Sequence, residues 1–178
     1  MLRTEYLHEA FDYRDGNLFW KSRPRSHFTS DNSFRAWNTS NAGNPISSMD
    51  KDGYLRVRLD GVRHKAHRII WMMKVGSIPE GMVIDHINHN KSDNRLSNLR
   101  LVAVETNNRN APMRADNTSG VTGVNWNERA KKYQATISIS GKRKSLGYFS
   151  SLHSAKAARK NAELEVGYHK NHGSKEVL

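Results

Sequence analysis

Residues 81–108 read GMVIDHINHNKSDNRLSNLRLVAVETNN, and the order of side-chain types in this stretch decides how the chain folds around it. Met82 to Ile84 form a short apolar run suited to a buried strand. An acid beside a histidine follows, and then a region rich in asparagine. Asn and Asp bond readily to nearby backbone, which favours turns and caps, so Asn88 to Ser97 read as a polar loop. Leu99 to Val102 fit a second strand and Val104 to Arg109 the first turns of a helix. A helix packed across such a hairpin brings Asp85, His86 and Asn107 to one point. A loop alone has no need of the Asp-His pair.

Those three side chains suit one-metal hydrolysis of a phosphodiester. The Asp85 carboxylate and the Asn107 amide oxygen are hard ligands of the kind Mg²⁺ or Mn²⁺ accepts, one ion per site, with waters and phosphate oxygens completing the shell. His86 suits the general base, because an imidazole with an ordinary pKa of about 6.5 is neutral at working pH and can take a proton from water. Neighbouring residues on a regular strand point to opposite faces. Both can serve one site only if the strand ends there, and the asparagine-rich loop supplies that ending. Asn98, at the far end of the loop, is placed to hold the loop or orient the imidazole.

On the N-terminal side, Tyr6, Leu7, Ala10 and Phe11 fall at helical spacing ahead of the turn signal Asp15-Gly16, which predicts a short helix and a hairpin arm over Asn17 to Lys21. Arg25 to Ser48, with scattered Ser, Asn and single aromatics, read as an irregular or mobile connection. From Asp52-Gly53 a strand alternates apolar residues with Arg56 and Arg58, and Asp60-Gly61 turns it into a second strand, giving a hairpin with a basic, DNA-facing side. AHRIIWMMKVG then suits a short buried helix ended near Gly76, with His67 a core or capping residue.

The chain of 178 residues has room for one ordinary domain or two small ones. Its 29 Lys and Arg against 17 Asp and Glu give a net charge of +12, the footprint of a polyanion-binding protein, with double-stranded DNA the leading partner. No run approaches the length of a membrane span and no apolar segment follows the N-terminus. The expectation is therefore a protein that stays in the cytoplasm. Without cysteine neither disulfides nor a cysteine zinc ribbon can brace it. The pairs His64/His67 and His86/His89 have ligand-like spacing, but structural zinc is disfavoured because such sites usually include thiolates. No heptad pattern predicts an oligomer.

A cluster of Pro, Asn, Ser and Gly at residues 111–123 marks a linker. Beyond it Tyr133, Ala135, Ile137 and Ile139 alternate with Lys132, Gln134, Thr136 and Ser138, Ser140-Gly141 turns the chain into a third strand through Arg143, Lys144 and Ser145, and a helix begins at Ser154. Its Ala155, Ala158, Ala162 and Val166 face one way, letting it lie close on the sheet. The polar face could enter a major groove, with Lys132, Arg143 and Lys144 drawn to phosphates and Gln134, Thr136 and Ser138 touching bases. A solvated β face would look similar. Both parts are basic: residues 1–118 carry +5 and residues 119–178 carry +7.

The stretch IDHINHNKSDNRLSNLRLVAVETN resembles the HNH endonuclease motif of phage and intron-encoded homing enzymes. The resemblance implies Asp85 and Asn107 as metal ligands, His86 as general base and Asn98 as the central asparagine. His89 stands where that motif commonly has glycine, and Ala103 where a helix-capping Thr is common. The second departure should weaken the cap by roughly 1 kcal/mol. LHEAFDYRDGNLFWK and DKDGYLRVRLDGVRHKAHRIIW also resemble the leading part of phage HNH proteins. Residues 119 to about 168 look like an AP2 domain, a DNA-binding module of plant transcription factors also found on phage HNH enzymes. At its base-contacting positions stand Thr122, Asn125, Ser138 and Ser145, so the target sequence does not carry over.

These readings predict an α+β chain. A ββα-metal HNH domain spans residues 1–112 with its core motif at 79–110. A linker at 113–118 leads to an AP2-like sheet-and-helix domain at 119–170, and 171–178 form a tail. The expected activity is nicking of one DNA strand per engagement. The alternatives are a non-catalytic DNA-binding regulator that keeps the HNH unit only as structure, and an RNA-binding protein.

Overall fold

The computed structural model of the chain describes residues 2–104, 107, 113, 115–168 and 172–173. It divides into two compact units, Met1–Val102 and Ala103–Leu178, both mixing helices with small antiparallel sheets.

In the first unit helix α1 (Thr4–Ala10) buries Leu7 and Ala10 and runs directly into the hairpin β1 (Phe11–Arg14) and β2 (Asn17–Trp20). The turn between them is made by Asp15 and Gly16, both at positive φ, and the Phe11 and Trp20 rings stack at 4.4 Å. The basic hairpin is β3 (Arg56–Leu59) with β4 (Val62–Lys65), closed by Asp60 and Gly61 at φ 48° and 80°. Two successive positive φ values match the twist that a tight hairpin needs. Helix α3 (Ala66–Lys74) buries Ala66, His67, Ile69, Ile70 and Met73, an amphipathic stripe at 3.6-residue spacing. Strands β5 (Met82–His86) and β6 (Leu99–Ala103) form a third two-stranded sheet, entered on the β6 side by a 3₁₀ turn at Leu96–Asn98. Ile84 and Leu99 pin that sheet to the core around Leu7, Phe11, Leu59 and Ile70. Each fully buried side chain of this size contributes about 1.5–3 kcal/mol.

Residues 25–48, expected to be irregular or mobile, are largely structured. A 3₁₀ turn at Arg25–His27 precedes helix α2 (Asp31–Asn41), whose N-cap Ser30 exchanges side-chain bonds with Ser33 in a capping box. No α2 residue is fully buried. The helix is held instead by ring contacts of Trp37 with Trp20 and Phe28, and by Asn38, whose amide bonds both backbone groups of Arg23. Few apolar side chains and many Ser and Asn hid this element from periodicity. Arg23 is itself buried, its guanidinium donating to Asp60 and Tyr6.

The second unit has the expected three strands and helix. Strands β7 (Val124–Asn127), β8 (Lys132–Ile139) and β9 (Lys142–Phe149) pair in that order, with a register shift at Ala135/Thr136. Helix α4 (Leu152–Val166) begins two residues before the expected Ser154, because Ser151 is the N-cap and accepts from the Ser154 N–H. Its core is thin, with Val124, Ala135 and Ala155 packed by half-buried Tyr133, Leu146 and Phe149. Beside them lies a buried Arg159–Glu163 ion pair at 2.9 Å, and Arg159 Nη1 also donates to the Thr136 carbonyl at 2.6 Å. Gly123 makes room for this: at φ 80° a Cβ there would lie 2.5 Å from the Thr136 oxygen and 3.1 Å from the guanidinium.

The boundary between the units falls at Val102/Ala103, ahead of the domain limit at 112 expected from sequence. Of the helix expected over 104–109, Val104 and Asn107 are helical, and 105, 106, 108 and 109 lie outside the described residues. Residue 114 of the expected linker and all of the 171–178 tail except His172 and Gly173 lie outside them too. Among the described residues no helix is long and apolar enough to cross a membrane.

Candidate active site

Three of the asparagines between β5 and β6, Asn88, Asn90 and Asn98, replace missing backbone partners. Asn88 Oδ1 accepts from the Asn90 N–H, and Asn90 Oδ1 accepts from the Ser92 N–H and hydroxyl. Asn98 closes the loop from the other side, its Oδ1 accepting from the Asn88 N–H at 3.0 Å and its Nδ2 donating to the Asp93 carbonyl at 2.8 Å. Arg95 grips the Asp93 carboxylate and is the main reason its pKa is drawn down to about 2. His89, at the position where the resembling motif has glycine, holds φ 65°. That left-handed turn is one glycine enters without strain and histidine with some.

This loop fixes the imidazole of His86. Strand β5 ends at His86, the ending that the adjacent Asp-His pair requires. His86 is buried, and its Nε2 lies 3.0 Å from Asn94 Oδ1. An amide oxygen only accepts, so Nε2 carries the proton and Nδ1 the lone pair. Asn98 was the residue expected to hold either loop or ring; here it holds the loop and Asn94 holds the ring. Tyr54 and His67 complete the setting, with ring centroids 5.8 and 4.8 Å from that of His86, the two imidazoles edge to face. Burial pushes the His86 pKa below its ordinary value, against the opposing pull of Asn94 and Asp85. The ring is therefore held neutral, in its proton-accepting form.

His67 is shifted further, to about 3, first by burial and then by the neighbouring His86. A folded-state value below the unfolded one means that protonation favours unfolding. The stabilisation from a neutral His67 is complete above pH 6.5 and is lost as pH falls toward 3. At full size it amounts to about 3–5 kcal/mol. Urea midpoints should fall steeply between about pH 6.5 and 4 in the wild type. His67→Phe should flatten that fall, and an unchanged slope in the variant would count against His67 as its source.

Asp85 is buried and meets Arg100 of β6, whose Nε and Nη2 both donate to Oδ2, at 2.9 and 2.7 Å. Arg100 and Asn94 lie in the NLR and DNR parts of the resembling motif but carry no role legible from sequence; only the pairing of β5 with β6 reveals that of the first, and only the ring position that of the second. The donor chemistry fits a hard divalent ion, since a carboxylate oxygen is the ligand such an ion prefers, although Arg100 engages Oδ2. Among the described residues no three His, Asp or Glu side chains share a metal position. A site made of one carboxylate, one amide oxygen and waters needs no such group. Asn107 falls in the second unit, helical and half-buried.

The basic residues lie on two surfaces. On the β3–β4 hairpin Arg56 pairs across the strands with Lys65, and Arg58 with Arg63, setting like charges opposite one another, which a polyanion would relieve. On the second unit's sheet, register puts Lys132, Gln134, Thr136, Ser138 and Arg143 on one face, joined by Asn125, Ser145 and an exposed Tyr148. Lys144, opposite the buried Ile137, belongs to the other face.

Residues 64–109 match the family model described as HNH endonuclease, and the Asp85-His86 hairpin lies within the matched stretch. Among individual proteins, the chain is 35% identical over 78 residues to Protein 3.8 of Escherichia phage T7, covering 44% of this chain and 64% of that protein. It is 34% identical over 94 residues to an uncharacterized HNH endonuclease of Acanthamoeba polyphaga mimivirus, covering 52% of this chain and 47% of the relative. The chain thus spans about half to two thirds of these curated relatives. A solved structure of DNA binding and cleavage by the HNH homing endonuclease I-HmuI aligns over 92% of this chain and 89% of that one, at 19% identity and a TM-score of 0.38, too low to bear on the fold.

Proposed function

We propose that this protein is a metal-dependent HNH endonuclease that nicks double-stranded DNA in the host cell of a phage. The observation that carries the reading is the neutral, Asn94-oriented His86 at the end of β5 with Asp85 beside it, inside a segment that matches the HNH endonuclease family. Asp85 and Asn107 would hold one Mg²⁺ or Mn²⁺, which when bound supplies positive charge to the phosphate and the leaving 3′ oxygen. His86 Nδ1 takes the proton of the attacking water, and Asn94 keeps the ring in the tautomer that can do so. Asn98 acts at one remove by holding the loop.

One such constellation serves one scissile phosphate at a time, so nicked circles should precede linear product when supercoiled plasmid is incubated with Mg²⁺ or Mn²⁺. EDTA should spare the plasmid. Linear DNA without a nicked intermediate, from monomeric protein, would overturn single-strand action, and equal cutting in EDTA would overturn the metal.

The second unit, AP2-like in our reading, supplies targeting through the Gln134, Thr136 and Ser138 face, with Lys132 and Arg143 on the same face attracting phosphates and Lys144, on the opposite face, outside that contact; Arg56 and Arg58 add contacts from the nuclease side. Deleting residues 119–178 should weaken duplex binding and lower the slope of log affinity against log salt by roughly one for each phosphate that these side chains neutralise. An unchanged slope and cleavage pattern would leave the targeting role without support.

A further inference from the structure

We propose that Arg100 and the divalent ion compete for the same oxygen of Asp85, so that Arg100 sets the affinity of the site for the ion and, once displaced, becomes a donor to the substrate phosphate. This rests on the reading of Asp85 as a metal ligand. An arginine and a carboxylate commonly meet as two forks, one N–H to each oxygen. Here both donors converge on Oδ2, so the acceptor sites of that oxygen are engaged by the guanidinium, and an ion binding there must move it. Adjacent hairpin strands supply the two partners, and both side chains are largely sheltered, Asp85 at 10% and Arg100 at 24% exposure. Solvent screening is correspondingly weak, and a bare carboxylate in this position would be costly. The guanidinium offsets that cost. When the ion takes over the offset, the displaced N–H groups remain beside the site, where the oxygens of the incoming phosphodiester can accept them.

Mn²⁺ binding to the full chain without DNA, followed by electron paramagnetic resonance, tests the competition apart from catalysis. Arg100→Gln removes the competing charge and should tighten Mn²⁺ binding by at least about tenfold. Arg100→Lys keeps a cation and should stay within about threefold of wild type. At saturating Mn²⁺ the Gln variant should nonetheless nick plasmid more slowly, with Lys recovering part of the rate. In the wild-type protein, the Arg100 Nε–H resonance should shift on Mg²⁺ titration and saturate with ion occupancy, a readout that needs no variant to fold. Gln binding no tighter than wild type, or an Nε–H resonance indifferent to Mg²⁺, overturns the competition. Asp85→Asn separates the two layers. If it loses Mn²⁺ binding while Gln leaves the affinity unchanged, only the role of Arg100 fails. If it binds Mn²⁺ like wild type, the metal-ligand reading fails and the competition with it.

Discussion

Replacing His86 with alanine should slow nicking of supercoiled plasmid by about 10²–10⁴-fold, the range a positioned general base supplies, while leaving duplex binding close to wild type. The expectation follows from the ring's surroundings. Asn94 fixes the proton on Nε2, and burial lowers the pKa so that the accepting form prevails near neutrality. With the pKa below its ordinary value, activity should hold as pH drops through 6.5 and fail only lower, as His86 becomes protonated. His86→Ala cutting like wild type would remove the base assignment, whereas a wild type that binds duplex but never cuts it would leave the non-catalytic, DNA-binding reading standing.

The second large effect concerns stability. Arg159→Met should cost the second unit about 3 kcal/mol, because it breaks a buried pair and removes the buried countercharge of Glu163. Glu163 keeps Lys160 at 2.7 Å but loses the sheltered guanidinium, and the Thr136 carbonyl loses its donor. The few buried residues around Val124, Ala135 and Ala155 give little reserve against such a loss. Amide exchange should show β7, β8 and β9 losing protection while β1 and β2 keep theirs. Adding Glu163→Leu should restore much of the stability, since an apolar pair can replace a buried ionic one. A single variant within about 1 kcal/mol of wild type, measured by urea unfolding, would mean that the pair contributes little.

Local chemistry made part of this structure readable in advance. Asp15-Gly16, Asp60-Gly61 and Ser140-Gly141 sit at the three tight turns, all at positive φ, and the spacing of Ala66, Ile69, Ile70 and Met73 marked the buried helix. The end of β5 at the Asp-His pair was legible from the asparagines after it. Which asparagine did what was not, because Asn94 and Asn98 are chemically identical and differ only in what the fold brings to them. The burial of His67 was expected, but its place beside His86, like that of Tyr54, was opaque for the same reason. Helix α2 lacked an apolar stripe, and its ring contacts connect it to distant segments. Arg159 and Glu163, spaced as an ordinary exposed helix pair, gave no sign of burial.

The asparagine loop also bears on the order in which the chain assembles. The hydrogen bonds of its asparagine side chains join residues no more than ten positions apart, closures that cost little chain entropy and form quickly. The ring's wider surroundings come from far upstream, from Tyr54 and His67, and Tyr13 receives the Leu96 N–H across 83 positions. A chain leaving the ribosome N-terminus first has those partners outside before residue 86 emerges. Synthesis thus delivers the receptor surface first and the self-closing loop afterwards, so the hairpin can dock as it forms instead of waiting, exposed, for the rest of its setting.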